Sequence, residues 1–208
     1  MLVVVNAVAM EAQWRYLFDP AQTRPAPFHL PGGDVVNVPT MHFDLYLPLV
    51  WEEEYQAVEL LYGAGDLSMV AIVPNDLATF EADLDPERLQ GIFEAITEQG
   101  IHLSLPKFAF RSHTDLDDTL RQLGMTSVYE AADLSGMTGT PGLFLQTVQH
   151  EAFIEVDEEG TEAHAATGAG MAISHGPTIT FDRPFFFVIR DRATGAILFV
   201  GRVTDPRG

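Results

Sequence analysis

The seven histidines, His29, His42, His102, His113, His150, His164 and His175, are the first residues that could do chemistry. Imidazole binds metals and moves protons near neutral pH. Metal sites, however, draw on ligands at short recurring spacings, and these seven show none. Neighbouring carboxylates such as Asp117 and Asp118 could share acid and base work, but at the start of a short helical pattern they read as helix-surface charge. There is no GxSxG elbow, P-loop or HExxH pair. Gly63-Ala64-Gly65 is a fragment of a glycine motif placed in a hairpin turn. Cysteine is absent, so there is no thiol chemistry and no disulfide framework. The side chains point to no catalytic site, no metal and no cofactor.

One segment stands apart. EEGTEAHAATGAGMAISHGPTITF, Glu158 to Phe181, is dominated by Gly, Ala, Thr and Ser. It lies between a strand-like run, Gln149 to Val156, and two more, Phe185 to Arg190 and Ala196 to Val203. Taken alone, such a tract reads as a flexible linker.

The elements around it are β-rich with a few helices. Leu2 to Val8 reads as a strand. Asp19 to Thr40 carries turn signals at Pro20, Pro25, Pro27 and Pro31-Gly32-Gly33, with strand character resuming over Val35 to Val38. Tyr55 to Tyr62 and Leu67 to Val73 flank Gly63 to Asp66 as a hairpin. The pattern predicts a helix over Asp85 to Gly100, with Asp85 as N-cap, Pro86 at the first position and Gly100 as the stop. Leu89, Ile92, Phe93 and Ile96 fall on one face of it. Ile101 to Phe110 reads as extended. Asp115 to Leu123 reads as a short helix with Leu116, Leu120 and Leu123 together. The sum is an α+β fold with a large, partly antiparallel sheet.

The 208 residues suit one large domain or a small pair, and 47% are hydrophobic, enough for a core. A formal net charge of −19 disfavours nucleic acid as a partner. No run approaches the roughly 18 apolar residues of a membrane span, and the first twenty residues lack the basic leader of a signal peptide. Lys107 is the one lysine. Many acids and almost no lysine would suit high salt, where self-repulsion is screened.

Several motifs, in order, resemble the serpin family of serine protease inhibitors. FDRPFFFVIRDRATGAILFVGRVTDP, Phe181 to Pro206, looks like the family's C-terminal signature, and AFIEVDEEGTEAHAAT, Ala152 to Thr167, like its hinge. LVVVNAVAMEAQWRYLF resembles the third strand of the serpin central sheet. VPTMH, YQAVELLYGAGDLSMVAIVP, LPKFAFRSHTDLDDTLRQLGM and ADLSG resemble their serpin counterparts. The resemblance covers essentially the whole chain. A complete serpin is much longer, so residues 1–208 are expected to be the C-terminal part of a serpin domain, without the N-terminal helices and first two central-sheet strands.

The resemblance implies a serpin fold with parts of sheets A, B and C and an exposed reactive loop at about 159–177. It implies inhibition by sacrifice: a protease cuts the loop, and the loop inserts into the central sheet, dragging the acylated protease with it. Thr161, Ala163, Ala165 and Thr167 would share one strand face. All four are small and uncharged, as passage between strands requires. Glu162, His164 and Ala166 would face solvent, and Gly160 suits the pivot. Counting forward from Gly160 puts the scissile bond after Ser174, and counting back from Phe181 puts it after Ile173. The reactive region is therefore Met171, Ala172, Ile173, Ser174 and His175. The loop holds no Lys or Arg, which argues against a trypsin-like target and for an elastase-, subtilisin- or chymotrypsin-like one. Asn6 and His150 resemble the family's shutter pair. Trp14 resembles its breach tryptophan, and Lys107 and Glu158 a salt bridge at the breach. The implied partner is a serine protease, or a cysteine protease, with no nucleic acid and no membrane. The implied state is a monomer able to form loop–sheet polymers, and the implied location is extracellular or the cell envelope. A non-inhibitory serpin-like protein, or a fragment acting as protease substrate or binding module, is the alternative reading.

Overall fold

The structure, a computed structural model, describes residues 2–130, 132–140, 142–161 and 176–208. The chain divides into two compact units: Met1–Met10 with Phe110–Ile154, and Glu11–Ala109 with Glu155–Gly208.

The first unit is built on a three-stranded sheet in the order β1 (Leu2–Ala9), β9 (Leu145–Val156) and β8 (Phe108–Asp115). β1 and β9 are parallel direct neighbours, with Asn6 opposite His150 and Ala9 opposite Phe153. The short helices α3 (Asp117–Gln122), α4 (Ser127–Glu130) and α5 (Ser135–Thr138) follow β8. The helix expected over Asp115 to Leu123 is shorter than its leucine spacing suggested, and Leu123 is 79% exposed. Asp117 is not loose surface charge either. Its carboxylate accepts the Val148 amide at 2.8 Å and the Tyr129 hydroxyl at 3.0 Å, tying the helix start to β9.

The second unit holds an eight-stranded sheet. Its path runs β11 (Thr178–Thr180), β7 (Thr97–Pro106), β4 (Val35–Trp51), β5 (Tyr55–Leu61), β6 (Leu67–Pro74), β12 (Phe185–Asp191) and β13 (Ile197–Val203), and β3 (Arg24–His29) lies on β4. The β5–β6 hairpin turns at Gly63 and Gly65, whose φ angles of 44° and 97° suit glycine. β6 and β12 are buried along nearly their whole length, as central strands covered on both faces are. Helices α1 (Leu77–Ala82) and α2 (Pro86–Ala95) contribute Phe80, Leu89 and Ile92 to a core shared with Val70, Ile72 and Phe186. A two-residue pair, β2 (Ala12–Gln13) and β10 (Gly160–Thr161), completes the unit.

Two expectations need correction. The helix predicted to run to Gly100 stops at Ala95. Residues 97–100 belong to β7, where Thr97 to Gly100 pair with Leu49 to Tyr46 of β4. A long ladder outweighs the helical spacing of Ile96. The stretch from Pro25 to Thr40 is not mainly turns. Pro25 and Pro27 lie in β3, which among the described residues pairs with β4 alone and so leaves an edge where a missing N–H costs nothing. Val35 begins a strand of 17 residues that passes through Pro39 and Pro48.

Candidate functional site

Beyond β9, Asp157 organises a tight turn. Its carboxylate accepts the amides of Glu159 at 2.9 Å and Gly160 at 3.2 Å, and its own amide donates to the Gly160 carbonyl at 3.0 Å. The chain then runs antiparallel to β2, with Gly160 opposite Gln13 and Thr161 opposite Ala12. Gly160 has φ +146°, and a Cβ there would lie 2.2 Å from the Ala12 carbonyl oxygen, so only glycine fits without displacing β2.

Trp14 and Tyr62 wall this pairing. The Trp14 amide donates to the Glu159 carbonyl at 2.9 Å, and its indole N–H donates to the Asp157 carbonyl at 2.9 Å. The indole stacks on the Tyr62 ring, centroids 4.3 Å apart and planes 13° from parallel. The Tyr62 hydroxyl meets the Thr161 hydroxyl at 2.9 Å. Tyr62 is 3% exposed and Thr161 wholly buried. Burial pushes the phenol well above its ordinary range, against the opposing pull of the Thr161 bond.

Glu158 anchors the same turn. Lys107 Nζ donates to one carboxylate oxygen at 2.6 Å and the Thr23 hydroxyl to the other at 2.7 Å. The Phe18 amide donates to the Glu158 carbonyl at 3.0 Å. Burial alone would raise the Glu158 carboxyl, but the bonds from Lys107 and Thr23 outweigh it and hold the group below its ordinary value. Lys107 stands at the break between β7 and β8. Its amide donates to the Pro39 carbonyl at 2.9 Å, which fixes the root of the side chain.

In the first unit, Asn6 and His150 face each other across β1 and β9. The Asn6 amide nitrogen lies 3.3 Å from His150 Nδ1, which accepts from it in the tautomer protonated on Nε2.

These positions fall within a known family. Its profile, described as serpin (serine protease inhibitor), matches residues 1–206. The chain belongs to the serpin family. Serpin A3-5 of Bos taurus is 40% identical over 212 residues, which cover 99% of this chain and 51% of that protein. Serine proteinase inhibitor 2.4 of Apodemus sylvaticus is 39% identical and is matched over 51% of its length. Human thyroxine-binding globulin, crystallised in complex with thyroxine, superposes with a TM-score of 0.88 at 30% identity, covering 99% of this chain and 56% of that one. The chain thus spans about half the length of the curated serpins it matches, and its fold is the serpin fold.

The serpin motif residues divide into three groups. Trp14, Lys107, Glu158, Gly160 and Thr161 come together in the second unit around one turn, and Asn6 and His150 pair in the first. Ala163, Ala165 and Thr167 of the hinge lie outside the described residues. So do Met171, Ala172, Ile173, Ser174 and His175 of the reactive region. Sequence reasoning missed Tyr62, Thr23 and Asp157. Asp157 three residues before Gly160 carried a usable signal, since aspartate often closes such a turn with its own side chain. Tyr62 ends a hydrophobic run and Thr23 sits among prolines, and neither position advertises a distant partner.

Proposed function

We propose that this chain carries the loop-offering and loop-accepting parts of a serpin-type suicide inhibitor of serine endopeptidases. The register of β10 on β2 carries this reading. In an inserted strand, Ala163, Ala165 and Thr167 would follow Thr161 at every second position. The small, uncharged side chains would then share the face of Thr161, which is buried. Glu162 and His164 would take the other face. On this reading the cut loop becomes a further strand, and the direct pairing of β1 with β9 is what its entry would open.

The drive is backbone hydrogen bonding. About a dozen added ladder residues, at about 0.5–1.5 kcal/mol each, give on the order of 10 kcal/mol. The uncut state is then metastable, and cleavage releases it. The absence of Lys and Arg between Gly160 and Thr180 favours elastase-, subtilisin- or chymotrypsin-like targets, with the cut between Met171 and His175. In this reading the protein is not an enzyme and needs no cofactor. It works outside the cell or in its envelope, as a monomer that forms loop–sheet polymers when the hinge fails.

A second reading rests on the likeness to thyroxine-binding globulin, which is named for a ligand it binds. Gly168-Ala169-Gly170 lowers the strand propensity of the loop, as suits a serpin that is cut without trapping. Thermal unfolding separates the two. Cleavage within Met171 to His175 is expected to raise the unfolding midpoint by about 20 °C or more if the loop inserts. An unchanged midpoint after complete cleavage overturns insertion and favours the carrier or substrate reading.

A further inference from the structure

His42 and Ser104 are cross-strand partners on β4 and β7, and Asp44 and His102 are the next such pair on the same face. His42 Nδ1 lies 2.9 Å from the Ser104 hydroxyl. His42 Nε2 is buried and has no hydrogen-bond partner among the described residues. An imidazole so placed can stay neutral with one orphaned nitrogen, or become a cation with a buried N–H pointing at nothing. The second state is much the costlier.

Ser104 links this imidazole to the strand that follows the loop. β11 is three residues long and, among the described residues, pairs in its sheet with β7 alone. The Phe181 amide donates to the Ser104 carbonyl at 2.9 Å, and the His102 amide donates to the Pro177 carbonyl at 2.9 Å. One residue thus meets His42 through its hydroxyl and holds the end of β11 through its carbonyl.

We propose that His42 is an acid-sensitive clasp on β11: neutral imidazole keeps the β4–β7–β11 seam closed, and protonation loosens it. The charged and titratable groups around His42 are Asp44 on its own strand, Arg24 on β3 and His102 on β7, while β11 presents Thr178 and Thr180. Burial, then the Arg24 charge, hold the imidazole below its ordinary value, and Asp44 opposes them less strongly. A histidine neutral in the folded state and protonated in the loosened one favours the closed seam above the ordinary value of about 6.5. It loses that preference as pH falls below it. The neighbouring Asp44–His102 pair lies at 2.6 Å. The consequence for the loop, whose distal end β11 anchors, rests on the inhibitor reading above. The clasp itself does not.

The test is amide-exchange protection of Ile179 to Phe181, corrected for intrinsic rates, at pH 7.5 and pH 5 on the whole chain. Protection in β11 is expected to fall about tenfold on acidification, against little change in β5 and β6. His42→Gln, which keeps a hydrogen-bonding side chain but cannot titrate, is expected to abolish the fall, and His102→Gln to retain it. Unchanged β11 protection in the native protein, or a fall that survives His42→Gln and vanishes with His102→Gln, overturns the clasp. If His42→Gln does not fold, histidine NMR titration of the native protein decides. A His42 that titrates at or above the free imidazole value contradicts the proposal, and one well below it supports it. None of these readouts depends on inhibition.

Discussion

The hydroxyls of Tyr62 and Thr161 meet at 2.9 Å in a spot closed to solvent, 99 residues apart in the chain. This contact fastens the first residues after the turn to the end of β5. Tyr62→Phe leaves the Thr161 hydroxyl buried without that partner, a loss of about 1–3 kcal/mol. The Trp14 amide, bonded to the Glu159 carbonyl, is then expected to exchange at least tenfold faster. Unchanged exchange would show that the β2–β10 backbone pairing holds the hinge unaided.

Gly160 tolerates no side chain. Its φ of +146° and the 2.2 Å approach to the Ala12 carbonyl oxygen act together. Gly160→Ala is expected to unseat Gly160 and Thr161 from β2. In a Trp51→Phe background, which leaves Trp14 as the only indole, the emission should shift to the red as Trp14 meets water. An unshifted spectrum would contradict the close packing.

Glu158 is held by Lys107 and Thr23. Its folded carboxyl titrates below the ordinary 4.5. Its stabilisation is therefore complete above that value and is lost as pH falls through it toward the folded value. Lys107 is 36% exposed on its side chain, so solvent screening reduces the pair to about 1–2 kcal/mol. Glu158→Gln is expected to remove most of this at pH 7 and to flatten the fall in stability below pH 4.5. Glu158→Lys, which places two cations together, is expected to promote polymers. A single monomer peak by size-exclusion chromatography after mild heating would sink that expectation.

Asn6 is exposed, His150 half-buried, and the bond between them is long at 3.3 Å, so the bond itself is weak. His150→Ala is expected to cost less than about 1 kcal/mol in urea unfolding. Its larger expected effect is on opening, since the pair sits mid-ladder between β1 and β9. Exchange at Val5 and Ala7 should quicken more than exchange at β6. Equal changes in both places would make the pair an ordinary surface contact.

Much of this was legible in the sequence, for identifiable reasons. The β5–β6 hairpin announced itself through Gly63 and Gly65, and α2 through Asp85 and Pro86, because such signals are local. The end of α2 was not legible, since a ladder to residues some fifty positions earlier decides it. β3 and the middle of β4 were hidden by prolines that an edge strand or a long strand end accommodates. At the site, Trp14, Lys107 and Glu158 were found through likeness to a family. Tyr62 and Thr23 act through contacts across long stretches of chain, which no spacing rule reports.

The central claim is that the loop is bait that becomes a strand. The most direct measurement incubates this chain with elastase and with subtilisin, followed by denaturing gels and mass spectrometry of the released peptide. The expected result is a covalent complex that survives detergent, with the peptide beginning between Ala172 and His175. Rapid, complete cleavage with free protease and no complex would contradict the account.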